Sequence, residues 1–271
     1  MKKKELLAEL EKLGMRPGRG LGQNFLLDGN LLDWIVRHAS PVPGEEILEV
    51  GPGFGALTGK LLETGARVTA VEFDRRLADY LREKYKNPQL RLIEADACKV
   101  DYASLFPGDV SFRAVANLPY AISSVFIARM LELPRGPGSM LFMLQREMAE
   151  RLAALPGSKE YGSLSVRASL DHEVRIEKIV PPTVFYPEPE VESALVSLTR
   201  VRTRPPEEVR RLAGLTKLAF SQRRKQMGKV LSSSYGREKI EKAFAAAGLA
   251  WEIRPDRVTP KEFAALAGAL A

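Results

Sequence analysis

Glu46-Ile47-Leu48-Glu49-Val50-Gly51-Pro52-Gly53-Phe54-Gly55 runs from a short apolar-rich stretch straight into three alternating glycines. The first half reads as a buried strand and the glycines as a tight turn. Ala56 to Glu63 is the helix that the turn opens. The same rhythm continues outward. Arg67–Val71, Leu90–Glu94, Phe112–Ala116 and Met140–Leu144 read as strands, and Arg75–Lys86, Ser123–Leu131 and Arg146–Ala154 as helices. Two further strands are expected at Ser163–Leu170 and Ala194–Arg200, pairing antiparallel because no crossover helix separates them. Strand–helix alternation of this kind predicts an α/β fold: an open, mostly parallel sheet with helices on both faces. Ligands of such sheets bind beyond the carboxyl ends of the strands.

Upstream, residues 1–22 read as a short amphipathic helix followed by a Gly-rich basic stretch, and Asp28 caps a helix running to Ala39. Pro205-Pro206 marks a boundary, after which only helical patterns follow: Val209–Ser221, Arg223–Leu231, Arg237–Ala247 and Pro260–Ala267. The expected organisation is a basic N-terminal extension over 1–22, an α/β domain over 23–204 and a small all-helical domain over 205–271.

Composition narrows the function classes. The chain has 271 residues, 45% of them hydrophobic, which is enough for a sizeable core and excludes disorder over most of the length. The longest apolar runs, such as Met140–Leu144, are far too short to span a bilayer, and acids interrupt what would be a secretory signal. A cytoplasmic chain with no membrane partner is the expectation. One cysteine and two histidines argue against a disulfide framework and a metal centre, so Cys98, His38 and His172 are read as structural. The net charge of +7 is unevenly spread: residues 200–239 carry +9, residues 1–23 carry +3, and residues 24–199 carry −5. A mildly acidic body between two basic segments suggests a polyanionic partner, most simply a nucleic acid.

The glycine turn lacks the pattern of a phosphate-binding P-loop, since Phe54 and Leu61 stand where a glycine and a hydroxyl residue would be needed. Gly51, Gly53 and Ala56 instead fit the dinucleotide fingerprint, and Glu72 ends the second strand, where an acid accepts from ribose hydroxyls. That much does not separate NAD from another adenosine-bearing cofactor. Glu49 beside the turn suits a cofactor with a cationic end, and Asp96 after the third strand is placed to accept from an adenine amine. Glu49-x-Gly-x-Gly-x-Gly with Glu72 and Asp96 resembles the class I S-adenosylmethionine-dependent methyltransferases, with their Rossmann-like sheet.

Asn117-Leu118-Pro119-Tyr120 ends the fourth strand on the same rim. An Asn117 amide oxygen and a Leu118 carbonyl held by Pro119 form a pair of acceptors for both hydrogens of an exocyclic amine. Tyr120 offers a face for stacking on a base. This tetrapeptide resembles the signature of enzymes that methylate the amine of adenine. Gln23-Asn24-Phe25-Leu26-Leu27-Asp28, Asn117 to Ser124, and Phe185-Tyr186-Pro187-Glu188-Pro189-Glu190-Val191-Glu192-Ser193 together resemble the ribosomal RNA adenine dimethyltransferase family. Phe220-Ser221-Gln222-Arg223-Arg224-Lys225-Gln226-Met227 is similar to its KsgA-type branch.

The resemblance implies that Asn24, Leu26, Gly51, Glu72, Asp96 and Asn117 line an S-adenosylmethionine site, with Gln23, Glu49, Gly53, Gly55 and Ala97 beside them. It further implies that Asn117, Leu118, Pro119 and Tyr120 hold the target adenine while Phe185 stacks on its other face. The expected product is a pair of neighbouring N6,N6-dimethyladenosines near the 3′ end of small-subunit ribosomal RNA. A monomer is expected, working on a ribosomal subunit or assembly intermediate, with Arg223, Arg224 and Lys225 on the phosphate backbone. The sequence departs from the family at Ala121, usually Asn, and Ser124, usually Thr. Three alternatives compete: a 23S-type adenine methylase, which more often reads Asn-Ile-Pro-Tyr; an NAD-dependent oxidoreductase; and a non-catalytic RNA-binding assembly factor.

Overall fold

The computed structural model describes residues 2–15, 24–107 and 111–271. Gln23 and most of the Gly-rich basic stretch lie outside the described residues. The elements in chain order are α1 (Lys3–Lys12), β1 (Phe25–Leu26), α2 (Gly29–Ala39), β2 (Glu46–Val50), α3 (Ala56–Glu63), β3 (Arg67–Glu72), α4 (Arg75–Lys84), β4 (Leu90–Glu94), α5 (Tyr102–Leu105) and β5 (Phe112–Asn117). They continue with α6 (Ser123–Glu132), β6 (Ser139–Gln145), α7 (Arg146–Leu152), α8 (Ser163–Asp171), β7 (His172–Val180), β8 (Phe185–Tyr186) and β9 (Ser193–Arg200). The remaining helices are α9 (Pro206–Ser221), α10 (Met227–Tyr235), α11 (Arg237–Ala246) and α12 (Pro260–Ala269).

Seven strands form one sheet in the order β4-β3-β2-β5-β6-β9-β7. The pairs β2–β3, β2–β5, β3–β4 and β5–β6 are parallel. Parallel strands covered on both faces need continuous apolar runs rather than alternation. That is why Ile47 to Val50 and Met140 to Leu144 are buried without interruption. Chain order reverses between β2 and β5, and there the loops after neighbouring strands diverge to leave a crevice. Helix starts are fixed locally: the Asp28 carboxylate accepts from Leu31 N (2.8 Å) and the Asp74 carboxylate from Arg76 N (2.9 Å).

The chain divides into two compact units. One comprises Met1–Arg129, Pro137–Arg146 and Ile176–Ser197; the other comprises Met130–Gly136, Glu147–Arg175 and Leu198–Ala271. The first unit holds the sheet core of Leu31, Ile35, Ile47, Leu61, Val68, Val115 and Met143. A second cluster in that unit joins Leu6, Leu10 and Met15 to Phe54 and Leu77. The second unit has its own core, built from α8 to α12 around Leu215, Met227, Leu231, Ile240, Phe244 and Phe263. Among the described residues, no helix is long and apolar enough to cross a membrane.

Strands β1, β7 and β8 and helix α5 were not expected, and two expected segments differ in kind or extent. Ser163–Leu170, expected as a strand, lies in α8. Its polar–apolar alternation imitates a strand, but Ser165 and Arg167 are buried and partnered. The Ser165 hydroxyl accepts from Gly162 N (3.0 Å) and donates to the Arg151 carbonyl (2.5 Å), and Arg167 pairs with Glu132 (2.7 Å). The helix expected from Arg223 starts only at Met227, and the basic run occupies the turn before it. There the Arg223 guanidinium donates to the carbonyls of Ser158 and Lys159.

Candidate active site

Strand ends build the site. The carboxyl ends of β2, β3 and β5, with the residues just after β4, line a cavity of about 250 Å³ through Glu49, Glu72, Asp96 and Asn117, among others. Gly51 joins its two halves. With φ +67 it takes the left-handed conformation, and a Cβ there would lie 2.8 Å from both Cγ and Cδ of Pro119. Glycine at 51 therefore serves the approach of the Asn117–Tyr120 segment as much as that of a ligand. Gly51 N donates to Val71 O (2.9 Å) and Gly55 N to Pro52 O (2.9 Å), which fixes the turn from within and from β3.

Glu72 is 6% exposed and organises the rim. One carboxylate oxygen accepts from Phe73 N and Asp74 N (2.9 Å each) and the other from Gly53 N (3.1 Å). Burial pushes its pKa up, against those three N–H donors, which pull it down. Glu49 is 2% exposed and accepts from the Thr58 hydroxyl (2.6 Å). Burial pushes it up to about 8, with the nearby Glu72 adding to the rise. Burial therefore favours the protonated form of the Glu49 carboxyl near neutral pH. Asp96 accepts from Cys98 N (2.9 Å) and faces Lys99 (3.5 Å).

The tetrapeptide is held at each residue. Asn117 Nδ2 donates to the Asn24 carbonyl (3.1 Å), so its amide nitrogen is engaged and its oxygen is left as the group for an incoming donor. Leu118 N donates to Met143 O (3.2 Å), which ties the peptide to β6. The Tyr120 and Ser193 hydroxyls are 2.5 Å apart, so the segment from Phe185 to Ser193 contributes a hydroxyl that orients the tyrosine.

Of the residues singled out in the sequence, Asn24, Leu26, Glu49, Gly51, Gly53, Glu72, Asp96, Ala97 and Asn117 to Tyr120 line the cavity. Two expected residues do not. Gly55 is absent from the lining, and its carbonyl accepts from the Tyr85 hydroxyl (2.7 Å). Phe185 is 2% exposed, packed in the sheet core and paired across β1–β8 with Leu26, so its ring has no face open to a base. Conversely, Leu6, Phe25 and Phe73 line the cavity unforeseen. Phe73 is 66% exposed directly after Glu72, an apolar ring that no core claims. Its neighbours Glu72 and Asp74, acid and helix cap, were the available signal. In the second unit Arg224 and Lys225 are exposed, whereas Arg223 is committed to the 158–159 carbonyls.

Comparison with known proteins bears on the chemistry. The model of the family described as "Ribosomal RNA adenine dimethylase" matches residues 17–270. The chain belongs to the ribosomal RNA adenine dimethylase family. A relative from Anaeromyxobacter dehalogenans named "Ribosomal RNA small subunit methyltransferase A" is 40% identical over 97% of this chain and 96% of its own. One of the same name from Deinococcus radiodurans is 37% identical over 95% and 87%. Among solved structures, a dimethyladenosine transferase from Plasmodium falciparum aligns with a TM-score of 0.71 at 23% identity, over 89% of this chain and 95% of that one. The 23S rRNA methyltransferase ErmE aligns with a TM-score of 0.64 at 29% identity, over 91% and 99%. Members of the ribosomal RNA adenine dimethylase family have the class I methyltransferase fold seen here, and S-adenosylmethionine is the methyl donor.

Gly51→Ala tests the junction. A methyl group 2.8 Å from Pro119 at a left-handed backbone must push the two loops apart. Thermal or chemical denaturation should show a loss of about 1–3 kcal/mol, and methyl transfer should fall further than cofactor binding does.

Proposed function

We propose that the protein dimethylates the exocyclic amines of two adjacent adenosines in the 3′-terminal hairpin loop of small-subunit ribosomal RNA, with S-adenosylmethionine as donor. The observation that carries the reading is the single cavity shared by the glycine turn and the Asn117–Tyr120 segment. Donor and acceptor then meet without either crossing solvent. The lining fits the donor: Glu72 at the end of β3 for ribose hydroxyls, Asp96 for the adenine amine, Phe73 and Ala97 for the apolar faces of the ring. Glu49 serves a cationic end.

S-adenosylmethionine supplies a methyl group already activated by its sulfonium. The protein's task is then orientation. Asn117 Oδ1 and the Leu118 carbonyl accept the two amine hydrogens of the target adenine, which localises the nitrogen lone pair. Tyr120, steadied by Ser193, provides the stacking face. The methylated amine loses its proton to water after transfer, so no general base is required. Arg224 and Lys225 hold phosphates from the helical part of the chain, which we read as its RNA-binding domain, and a target in a loop spares the cost of unstacking a paired base. The substrate is read as a ribosomal subunit or assembly intermediate, met by a monomer. Leu118, where the 23S-type enzymes more often carry Ile, and the small-subunit relatives favour this over the large-subunit reading.

Incubation with tritiated S-adenosylmethionine and small subunits lacking these methyl groups should place N6,N6-dimethyladenosine in the small-subunit RNA. Incorporation only into large-subunit RNA offered in parallel would overturn the assignment. Asn117→Ala should cost at least about a hundredfold in turnover, the scale of losing one aligned hydrogen bond to a reacting group, with donor affinity kept within a few-fold.

Glu49 predicts a pH effect of definite sign. A cation beside it favours the ionised form and lowers its pKa from about 8. Cofactor binding should therefore release a proton at pH 7, and affinity should fall as the pH drops below 8. Calorimetry of S-adenosylhomocysteine binding in buffers of different ionisation enthalpy reads this directly, and Glu49→Gln should abolish the buffer dependence.

A further inference from the structure

We propose that Lys84 and Tyr85, at the C-terminal end of α4, are positioning residues that clamp the outer side of the glycine turn and so set the affinity for the cofactor. The inference rests on the cofactor reading above. Neither residue lines the cavity. Lys84 Nζ donates to the Phe54 carbonyl (2.8 Å) and the Tyr85 hydroxyl to the Gly55 carbonyl (2.7 Å), so two consecutive peptides of the turn are held from behind.

The need for a clamp follows from composition. Three glycines within five residues, all at positive φ, give the turn more freedom to lose on binding than any other segment of the site. Bonds from inside restrain Gly51, Gly53 and Gly55 through their N–H groups. The carbonyls of Phe54 and Gly55 are restrained by Lys84 and Tyr85. A turn fixed before the ligand arrives loses less entropy when it binds.

The surroundings are built for these two side chains. A Cβ on Gly55 would lie 2.6 Å from the Tyr85 ring, and one on Gly59 would lie 2.7 Å from its hydroxyl. The third glycine of the motif therefore makes room for the clamp, which accounts for its absence from the cavity lining. Lys84 is an exposed residue, yet its ammonium sits over the rings of Tyr80 (5.4 Å) and Tyr85 (5.0 Å), a seat that favours one position of a flexible chain. Phe54, whose carbonyl it holds, is packed edge-to-face against Phe25 (5.0 Å) and Tyr80 (5.1 Å).

The test is calorimetric titration of S-adenosylhomocysteine into the full chain and into Tyr85→Phe, Lys84→Met and Lys84→Arg, with melting temperature and steady-state kinetics on each. Tyr85→Phe removes one hydroxyl and keeps the ring. It should weaken binding about five- to tenfold, and Lys84→Met about threefold or more, the range for losing one hydrogen bond. KM for the donor should rise by the same factors while kcat falls less, and Lys84→Arg should restore affinity to within about twofold of wild type. A lower melting temperature with unchanged affinity in both Tyr85→Phe and Lys84→Met would overturn the clamp, leaving the cofactor reading intact. Failure of the wild-type chain to bind at all would overturn that reading and the clamp with it.

Discussion

The approach of Pro119 to Gly51 ties the rest of the site together. It follows from topology. β2 and β5 are adjacent and parallel, paired from Glu46↔Phe112 to Leu48↔Ala114. Strands in a sheet lie about 4.7–4.9 Å apart, so the loops leaving their carboxyl ends must share the same space. One loop carries the glycines and the other carries Asn117 to Tyr120. With any side chain at 51 they would exclude each other; with glycine they pack, and the two half-sites become one cavity. Three neighbouring contacts hold the two loops on either side of that junction. Glu72 holds the turn through Gly53 N, Asn24 holds the Asn117 amide, and Ser193 holds Tyr120.

Charge is partitioned along the chain in keeping with two different ligands. The cavity lining includes Glu49, Glu72, Asp74 and Asp96, all in one compact unit. The segment 200–239, with its charge of +9, falls in the other. Acidic walls suit a cofactor bearing positive groups and disfavour phosphate, whereas the basic segment does the reverse. Burial of Glu49 makes the first preference depend on pH. A carboxyl held protonated costs little in an apolar wall, yet becomes an anion when a cation is brought beside it.

Much of this was legible in the sequence because parallel strands and glycine turns write strong local signals. β2, α3 and β4 fall on the expected residues: β2 runs into the glycine turn, α3 is the helix that the turn opens, and β4 lies between Pro88 and the Asp96 loop. Long-range effects were not legible. β1 and β8 are two residues each, too short to show a period, and their pairing is what buries Phe185. The strand-like pattern of 163–170 misled because Ser165 and Arg167 are polar residues satisfied in the interior. Leu6 and Phe73 reach the cavity from segments whose own patterns say only amphipathic helix and loop. Gly55 looked like a ligand-facing glycine, and only the position of Tyr85 shows otherwise.

The central claim, that one cavity seats donor and acceptor side by side, is tested most directly by a crystal structure with S-adenosylhomocysteine and adenosine monophosphate bound together. The expected result has the adenine amine donating to both Asn117 Oδ1 and the Leu118 carbonyl. The homocysteine sulfur should face that amine across a gap that a methyl group fills, with its carbon about 3–3.5 Å from the nitrogen. A nucleoside seated away from Asn117 and Leu118, or a sulfur pointing away from them, would contradict the account.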